Sequence, residues 1–303
     1  AMGESETKLG AGMARKGITG EPAEAIIRSI TAFALYGFPE CVVGDTRVID
    51  ADTGRRVKIE DVVTGRASLA HTLACGEDLR LHKRRVLAAT SSGPRMVYRL
   101  RTALGREVTA TAEHPLLTLD GWCPLGHLRV GDQIAAPRTL PGLGERRWPR
   151  HELVVLADLI AEGNLCHPST PYFYTTDAQH RDEFVAAVEK FDNTQATVAL
   201  HRSCFSVHTR RRELSRPNGV VEWATRLGLW GVNAHAKRLP EEVFTLHDED
   251  LAILLARLWE GDGTLSRARH ASYDTASRQL AKDVQQLLLR LGIVAGIYER
   301  TKP

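Results

Sequence analysis

Two short segments, VLADLIAEG at residues 155–163 and LARLWEGDG at residues 255–263, constrain this chain more than anything else in it. Each ends an apolar helical run on an acid followed by glycine, Glu162-Gly163 and Asp262-Gly263. Each leads into a strand-like stretch with tyrosine and threonine, Tyr174 with Thr176 and Tyr273 with Thr275. An amphipathic segment then follows each, DAQHRDEFVAAVEKF in the first case and TASRQLAKDVQQLLLRLG in the second. A helix, strand and helix that recur with the acid in the same place predict an internal duplication about an approximate two-fold axis. Gly163 and Gly263 are expected as the helix C-caps. The helix dipole disfavours a carboxylate in the last turn by about 0.3–1 kcal/mol at an exposed site, so two acids placed this way need a compensating partner. If the helices cross, the carboxylates converge, and a divalent cation becomes favourable. Mg²⁺ is the hard ion suited to oxygen ligands and a phosphodiester.

The first half of the chain has a different period. CVVGDTRVIDADTGRRVKIEDV, from Cys41, and RMVYRLRTALGREVTATAEHPLLTLDGW consist of short β-type runs broken at Asp52-Thr53-Gly54, Leu104-Gly105 and Asp120-Gly121, which predicts an all-β region. Ahead of it, Ile26, Ile27, Ile30, Phe33 and Ala34 lie at helical spacing, giving an expected helix over residues 20–36 that ends near Gly37. Pro137, Pro141, Gly142, Gly144 and Pro149 predict a linker between the β region and the duplicated one. A chain of 303 residues is long enough for about two domains with cores of their own.

Cys41 stands where the helical period gives way to β. A thiolate beside its own preceding carbonyl can form a thioester if the amide is distorted and its nitrogen protonated. His114, within Thr111-Ala112-Glu113-His114-Pro115, is the candidate proton donor, and Thr111 can hold the peptide or the histidine. The five cysteines are widely spaced with no CxxC pair, which argues against a disulfide scaffold or a zinc knuckle and fits a reducing compartment. No run approaches the roughly 18 apolar residues of a membrane helix, so no membrane partner and a cytoplasmic location are expected. A formal net charge of +3 is too mild to establish a nucleic-acid partner, so the placement of the basic residues matters more.

These patterns together resemble a known family. Residues 41–138, with CVVGDTRV followed by TATAEHPLLTLDGW, look like the N-terminal splicing blocks of inteins, and VLADLIAEG and LARLWEGDG look like the paired LAGLIDADG motifs of a single-chain homing endonuclease. KRLPEEVF and YDTASRQLAKDVQQLLLRLGI are similar to intein endonuclease blocks. The resemblance implies a multidomain protein: an all-β Hint horseshoe, then a duplicated α+β endonuclease built as two αββαββα halves. It divides the chain into a flank at residues 1–40, a splicing region at 41–143 and an endonuclease region at 144–303. The flank, ending in FPE, resembles bacterial DNA polymerase III alpha subunits, in which Ser-His-Ala would come next.

By the same resemblance Cys41 performs an N-to-S acyl shift on Glu40, Thr111 and His114 activate it without a cofactor, and Glu162 and Asp262 hold Mg²⁺ for cleavage of duplex DNA at the intein insertion site. The endonuclease would be monomeric with pseudo-two-fold symmetry. Candidate phosphate contacts are Arg202, Arg210, Arg211, Arg212 and Arg216 in one cluster and Lys237, Arg238, Arg267, Arg269, Arg278 and Lys282 around the second half. Arg257 departs from the motif, whose third position is commonly small; it would either separate the helices or lean out to phosphate. No His-Asn pair occurs in the sequence, so complete splicing is expected to need a C-terminal intein fragment, supplied by a longer chain or in trans. The competing readings are a decayed LAGLIDADG protein that binds DNA without cutting it, and a Hint-type autoprocessing module that is not an intein.

Overall fold

The computed structural model describes residues 41–267 and 270–300. The helix expected over 20–36, the polymerase-like flank and Arg269 lie outside the described residues.

Turn chemistry organises the N-terminal region into four antiparallel hairpins. β1 (Arg47–Ile49) pairs with β2 (Arg56–Lys58), β3 (His71–Cys75) with β4 (Leu81–Arg85), β5 (Tyr98–Arg101) with β6 (Glu107–Ala110), and β7 (Pro115–Thr118) with β8 (Gly121–Pro124). In the first turn Asp50 accepts from the Thr53 hydroxyl at 2.7 Å, and Gly54 follows at φ +76°. Glycine is required there twice over, because a Cβ would stand 2.7 Å from the Phe244 carbonyl oxygen. Isolated bridges, Val42 to Ala110, Asp50 to Thr72 and Thr118 to Ile134, stitch the hairpins together. The region is not purely β. IEDVV forms a short helix, α1 (Ile59–Val63), with Glu60 and Asp61 complementing its N-terminal dipole, and Leu125–His127 forms a 3₁₀ turn.

The centre of the second region is a pair of helices, α2 (Arg150–Ala161) and α5 (Asp248–Asp262). Leu153, Val155, Leu156, Leu159 and Ile160 of α2 and Leu251, Leu254 and Leu258 of α5 are essentially solvent-free. At roughly 1.5–3 kcal/mol for each large aliphatic side chain, this helix pair dominates the core. After α2 come β9 (Gly163–Asn164), β10 (Tyr172–Thr175), α3 (Ala178–Val188), β11 (Thr194–His201), β12 (Cys204–Arg211) and α4 (Gly219–Arg226). The four strands form one sheet in the order β11-β12-β10-β9. After α5 come β13 (Gly263–Leu265), β14 (Ala271–Tyr273) and α6 (Arg278–Arg290).

The two units share one order of helix, two short strands and helix, α2-β9-β10-α3 and α5-β13-β14-α6, with one change of register from the sequence expectation. The Asp177 amide donates to Thr175 Oγ1 at 3.1 Å and the Ser277 amide to Thr275 Oγ1 at 3.1 Å, and both residues N-cap the next helix. Gly163 pairs with Phe173 and Gly263 with Tyr273. Tyr273 therefore corresponds to Phe173, and Tyr174 to Asp274, rather than tyrosine to tyrosine. In a strand a one-residue slip exchanges faces, which is why composition alone misaligned them.

Two further expectations are corrected. Of the two glycines after the acids only Gly263 is a C-cap, and it is extended, at φ −86° and ψ 151°, rather than left-handed; α2 is capped by Glu162 and not by Gly163. The role of both glycines is close approach, since a Cβ on Gly163 would lie 2.4 Å from the Leu159 Cα and one on Gly263 2.3 Å from the Trp259 carbonyl oxygen. The proline- and glycine-rich segment is a packed strap rather than a loose linker. Leu140 is buried and its amide donates to Leu289 O at 3.2 Å, Arg146 bridges to Leu246, and Gly144 leaves no room for a Cβ against the Thr245 and Leu246 carbonyls.

Candidate active sites

The start of the β region is clamped from both sides of one residue. The Cys41 amide donates to Thr111 Oγ1 at 3.0 Å, and the Thr111 amide donates to Cys41 O at 2.9 Å. The bridge between Val42 and Ala110 and the bond from the Val43 amide to Thr109 O, 3.1 Å, continue the pairing. Thr111 is buried, so its hydroxyl meets the Cys41 N–H away from bulk water. His114 is brought round by a tight turn, its amide donating to Thr111 O at 3.2 Å, and its carbonyl accepts from Leu125 at 2.8 Å. One contact had no signal in the sequence: the Cys41 sulfur lies 3.0 Å from the Ser92 hydroxyl, across a separation of 51 residues.

The second site is made where α2 and α5 end. Gly261 lets the helices approach, for a Cβ there would stand 2.6 Å from the Ala161 Cβ. The Asp262 carboxyl is pushed up to about 6 by burial and then by the Glu162 charge, with Lys237 opposing. The two acids are thus close enough to feel each other. Lys237, read from sequence as a phosphate contact, is instead buried. Its ammonium donates to Ile160 O at 2.7 Å and Gly163 O at 2.9 Å, capping α2. Burial lowers its pKa, and Asp262 and Glu162 oppose that. The cation is drawn inward because the α2 carbonyls and both acids concentrate negative charge at one spot. Tyr273 Oη lies 3.5 Å from Asp262 Oδ2, and Phe173 can offer no such group to Glu162.

Arg257 neither separates the helices nor reaches out. It is buried and forks onto Asp158 of α2, Nε to Oδ1 at 2.7 Å and Nη2 to Oδ2 at 3.1 Å, with Nη1 at 2.7 Å from Glu183 and 3.0 Å from Glu260. The large side chain fits because α2 supplies its counter-ion, a pairing that no single motif reveals.

The remaining basic candidates sort by strand alternation. β10 and β12 turn Tyr172, Tyr174, Ser206, His208 and Arg210 to the face opposite the core residues Phe173 and Val207. Tyr172 stacks against His208 with centroids 4.9 Å apart, and Arg210 donates to Thr197 Oγ1 at 3.1 Å. Arg211 and Arg212 instead turn to the Leu214 and Glu189 carbonyls, both at 3.1 Å, and Arg216 pairs with Asp192. Arg202 is exposed at the β11–β12 turn with φ +56°, and Arg238 and Arg267 are also exposed. Arg278 pairs with Glu299, and Lys282 with Glu107 at 2.8 Å. Among the described residues no group of three or more His, Cys, Asp or Glu side chains is arranged to hold a metal ion.

Residues 249–303 match the model of the LAGLIDADG-like domain. Over 266 residues, 84% of the chain, the sequence is 33% identical to the replicative DNA helicase DnaB of Rhodothermus marinus, and over 266 residues it is 34% identical to protein RecA of Mycobacterium tuberculosis. The chain spans 28% and 33% of the lengths of those two proteins. A solved DnaB intein from Synechocystis sp. PCC 6803 is 33% identical, over 32% of this chain and 68% of that one, with a TM-score of 0.28. A stretch shared with differently named proteins, yet only a fraction of each, is separable from the remainder of both. With this domain match and this relative in sequence, the chain belongs to the inteins that carry a LAGLIDADG-type domain.

Proposed function

We propose that this intein begins self-processing by an N-to-S acyl shift at Glu40-Cys41 and that its LAGLIDADG region cuts duplex DNA at the insertion site of an intein-free gene. What carries the reading is the presence in one chain of a cysteine clamped through its amide to Thr111 and of two acids at the ends of packed helices, one of whose charges raises the pKa of the other. In the first step the Cys41 sulfur attacks the carbonyl carbon of residue 40, the bond to the Cys41 nitrogen breaks, and the nitrogen becomes an amine. Thr111 Oγ1 holds the N–H of that nitrogen, and His114 supplies the proton it gains as it leaves.

In the second reaction Glu162 and Asp262 would hold Mg²⁺, which suits a site of one or two carboxylates completed by water and phosphate. The bound ion would supply charge for the phosphoryl transition state and the departing 3′ oxygen. Lys237 adds a fixed positive charge beside the acids. The outer sheet face, with Tyr172, His208 and Arg210, would lie on the DNA. The all-β Hint horseshoe, the two αββαββα halves, monomeric action, a polymerase III alpha host at residues 1–40, a C-terminal fragment as splicing partner and a cytoplasmic site of action belong to the same proposal. The test is to incubate the purified chain with dithiothreitol and weigh the products: release of residues 1–40 that vanishes in Cys41→Ala supports the shift. Mg²⁺-dependent cutting of duplex DNA carrying the intein-free site, lost in Asp262→Asn, supports the nuclease. Cutting that persists in a Glu162→Gln, Asp262→Asn double variant refutes it.

A further inference from the structure

The clamp on Cys41 fixes its backbone and leaves its side chain to be aimed by something else. The amide and carbonyl are both taken by Thr111, so rotation about χ1 is what decides whether the sulfur faces the preceding carbonyl. The Ser92 hydroxyl lies within hydrogen-bond reach of the sulfur, at 3.0 Å. Ser92 is half-buried in the irregular chain between β4 and β5, and the segment is shaped to present it. The Ser91 hydroxyl accepts from the Gly93 amide at 3.3 Å, and Gly93 adopts φ +71°, turning the chain sharply just past Ser92. A Cβ on Gly93 would meet nothing within 4 Å, so the glycine serves the conformation and not a close contact.

We propose that Ser92 is a positioning residue for the acyl shift, holding the Cys41 sulfur in one rotamer by a hydrogen bond and donating to that sulfur as it loses its proton. The proposal rests on the reading of Cys41 as the nucleophile. While sulfur is a thiol, either atom can donate. Once the proton has left, only the hydroxyl can, and a hydrogen bond to a charged acceptor is worth more than one to a neutral acceptor. The step balances without a further reagent: the carbon–sulfur bond forms, the carbon–nitrogen bond breaks, and the proton lost by sulfur is matched by the one gained by nitrogen. Ser92 keeps its own hydrogen throughout. A threonine can make the same bond, and an alanine cannot.

The full chain is tested in two ways. At saturating dithiothreitol, where the acyl shift limits the rate, release of residues 1–40 is followed by mass spectrometry. Separately, the rate of iodoacetamide alkylation is read on the Cys41 peptide, with the Cys75 peptide as internal control. Ser92→Ala is expected to slow both release and Cys41 alkylation by about tenfold with Cys75 unchanged. Ser92→Thr should restore both to within about threefold. Wild-type rates in Ser92→Ala, or a Ser92→Thr variant as slow as the alanine, overturn the proposal. A wild type that releases nothing, or release that survives Cys41→Ala, overturns the acyl-shift reading itself and the role of Ser92 with it.

Discussion

Replacing Arg257 by methionine removes the guanidinium from the α2–α5 interface while keeping most of the side-chain volume. Asp158 is 4% exposed and takes two bonds from Arg257, at 2.7 and 3.1 Å, so the variant leaves a carboxylate between two helices with its main counter-ion gone. Breaking a buried pair from one side costs about 3–5 kcal/mol. Glu183 and Glu260 also lose the cation, but they are 40% and 49% exposed in their side chains and water screens them. At about 2–4 °C per kcal/mol for a chain of this size, the expected loss in melting temperature is roughly 6–20 °C. Burial already pushes the Asp158 carboxyl up to about 6, so the penalty should shrink below that pH as the acid neutralises. Arg257→Met combined with Asp158→Leu removes both charges and should recover most of the stability, because an apolar pair of similar volume replaces a buried ion pair at little cost. Urea unfolding at pH 7.5 and pH 5 of the wild type, the single and the double variant measures all three terms. A single variant within about 1 kcal/mol of wild type, or a double variant no better than the single, would show that the pair does not join the helices.

Three further outcomes follow from the same geometry. Gly261→Ala should destabilise by about 1–3 kcal/mol and part the acid pair, read as a lower melting temperature together with weaker stabilisation by Mg²⁺, since its Cβ would stand 2.6 Å from that of Ala161. Asp262 is raised from 3.8 to about 6 in the folded state, so its stabilising share is full below about 4 and is lost as pH rises through about 6. Melting of the metal-free protein across that window should fall with pH, and Glu162→Gln should flatten the slope, while an unchanged slope refutes the coupling. Thr111→Val should slow dithiothreitol-induced release at Cys41 by roughly tenfold while leaving iodoacetamide access to Cys41 intact, because the lost bond is to the amide and not to the sulfur.

Much of this protein was legible from its residues because the periodicities are local. The apolar spacing in 150–161 and 248–262 becomes the two central helices, and the acid-glycine endings fall at their last turns. The hairpins of the β region follow from turn residues such as Asp50 and Gly54, whose preferences act within a few bonds. Cys41 and Thr111 were paired by their types and order, and their backbones are hydrogen-bonded.

What only the tertiary structure decided is which groups far apart in sequence share a small volume. A motif shows an arginine where a small residue is usual, and only the facing helix shows Asp158 waiting for it. Lys237 reads as one more surface charge until the carbonyls of α2 and the field of two acids draw it inside. The strand register, with Phe173 rather than Tyr174 opposite Gly163, is set by which face is buried. Ser92 has no local mark at all, because the preferences of a loop serine concern its own turn, whereas its contact with Cys41 depends on chain closure over the whole β region. Local preferences act over a few residues and are written along the chain; partners of a buried charge or a reacting sulfur are chosen by packing, where cost depends on everything that surrounds them.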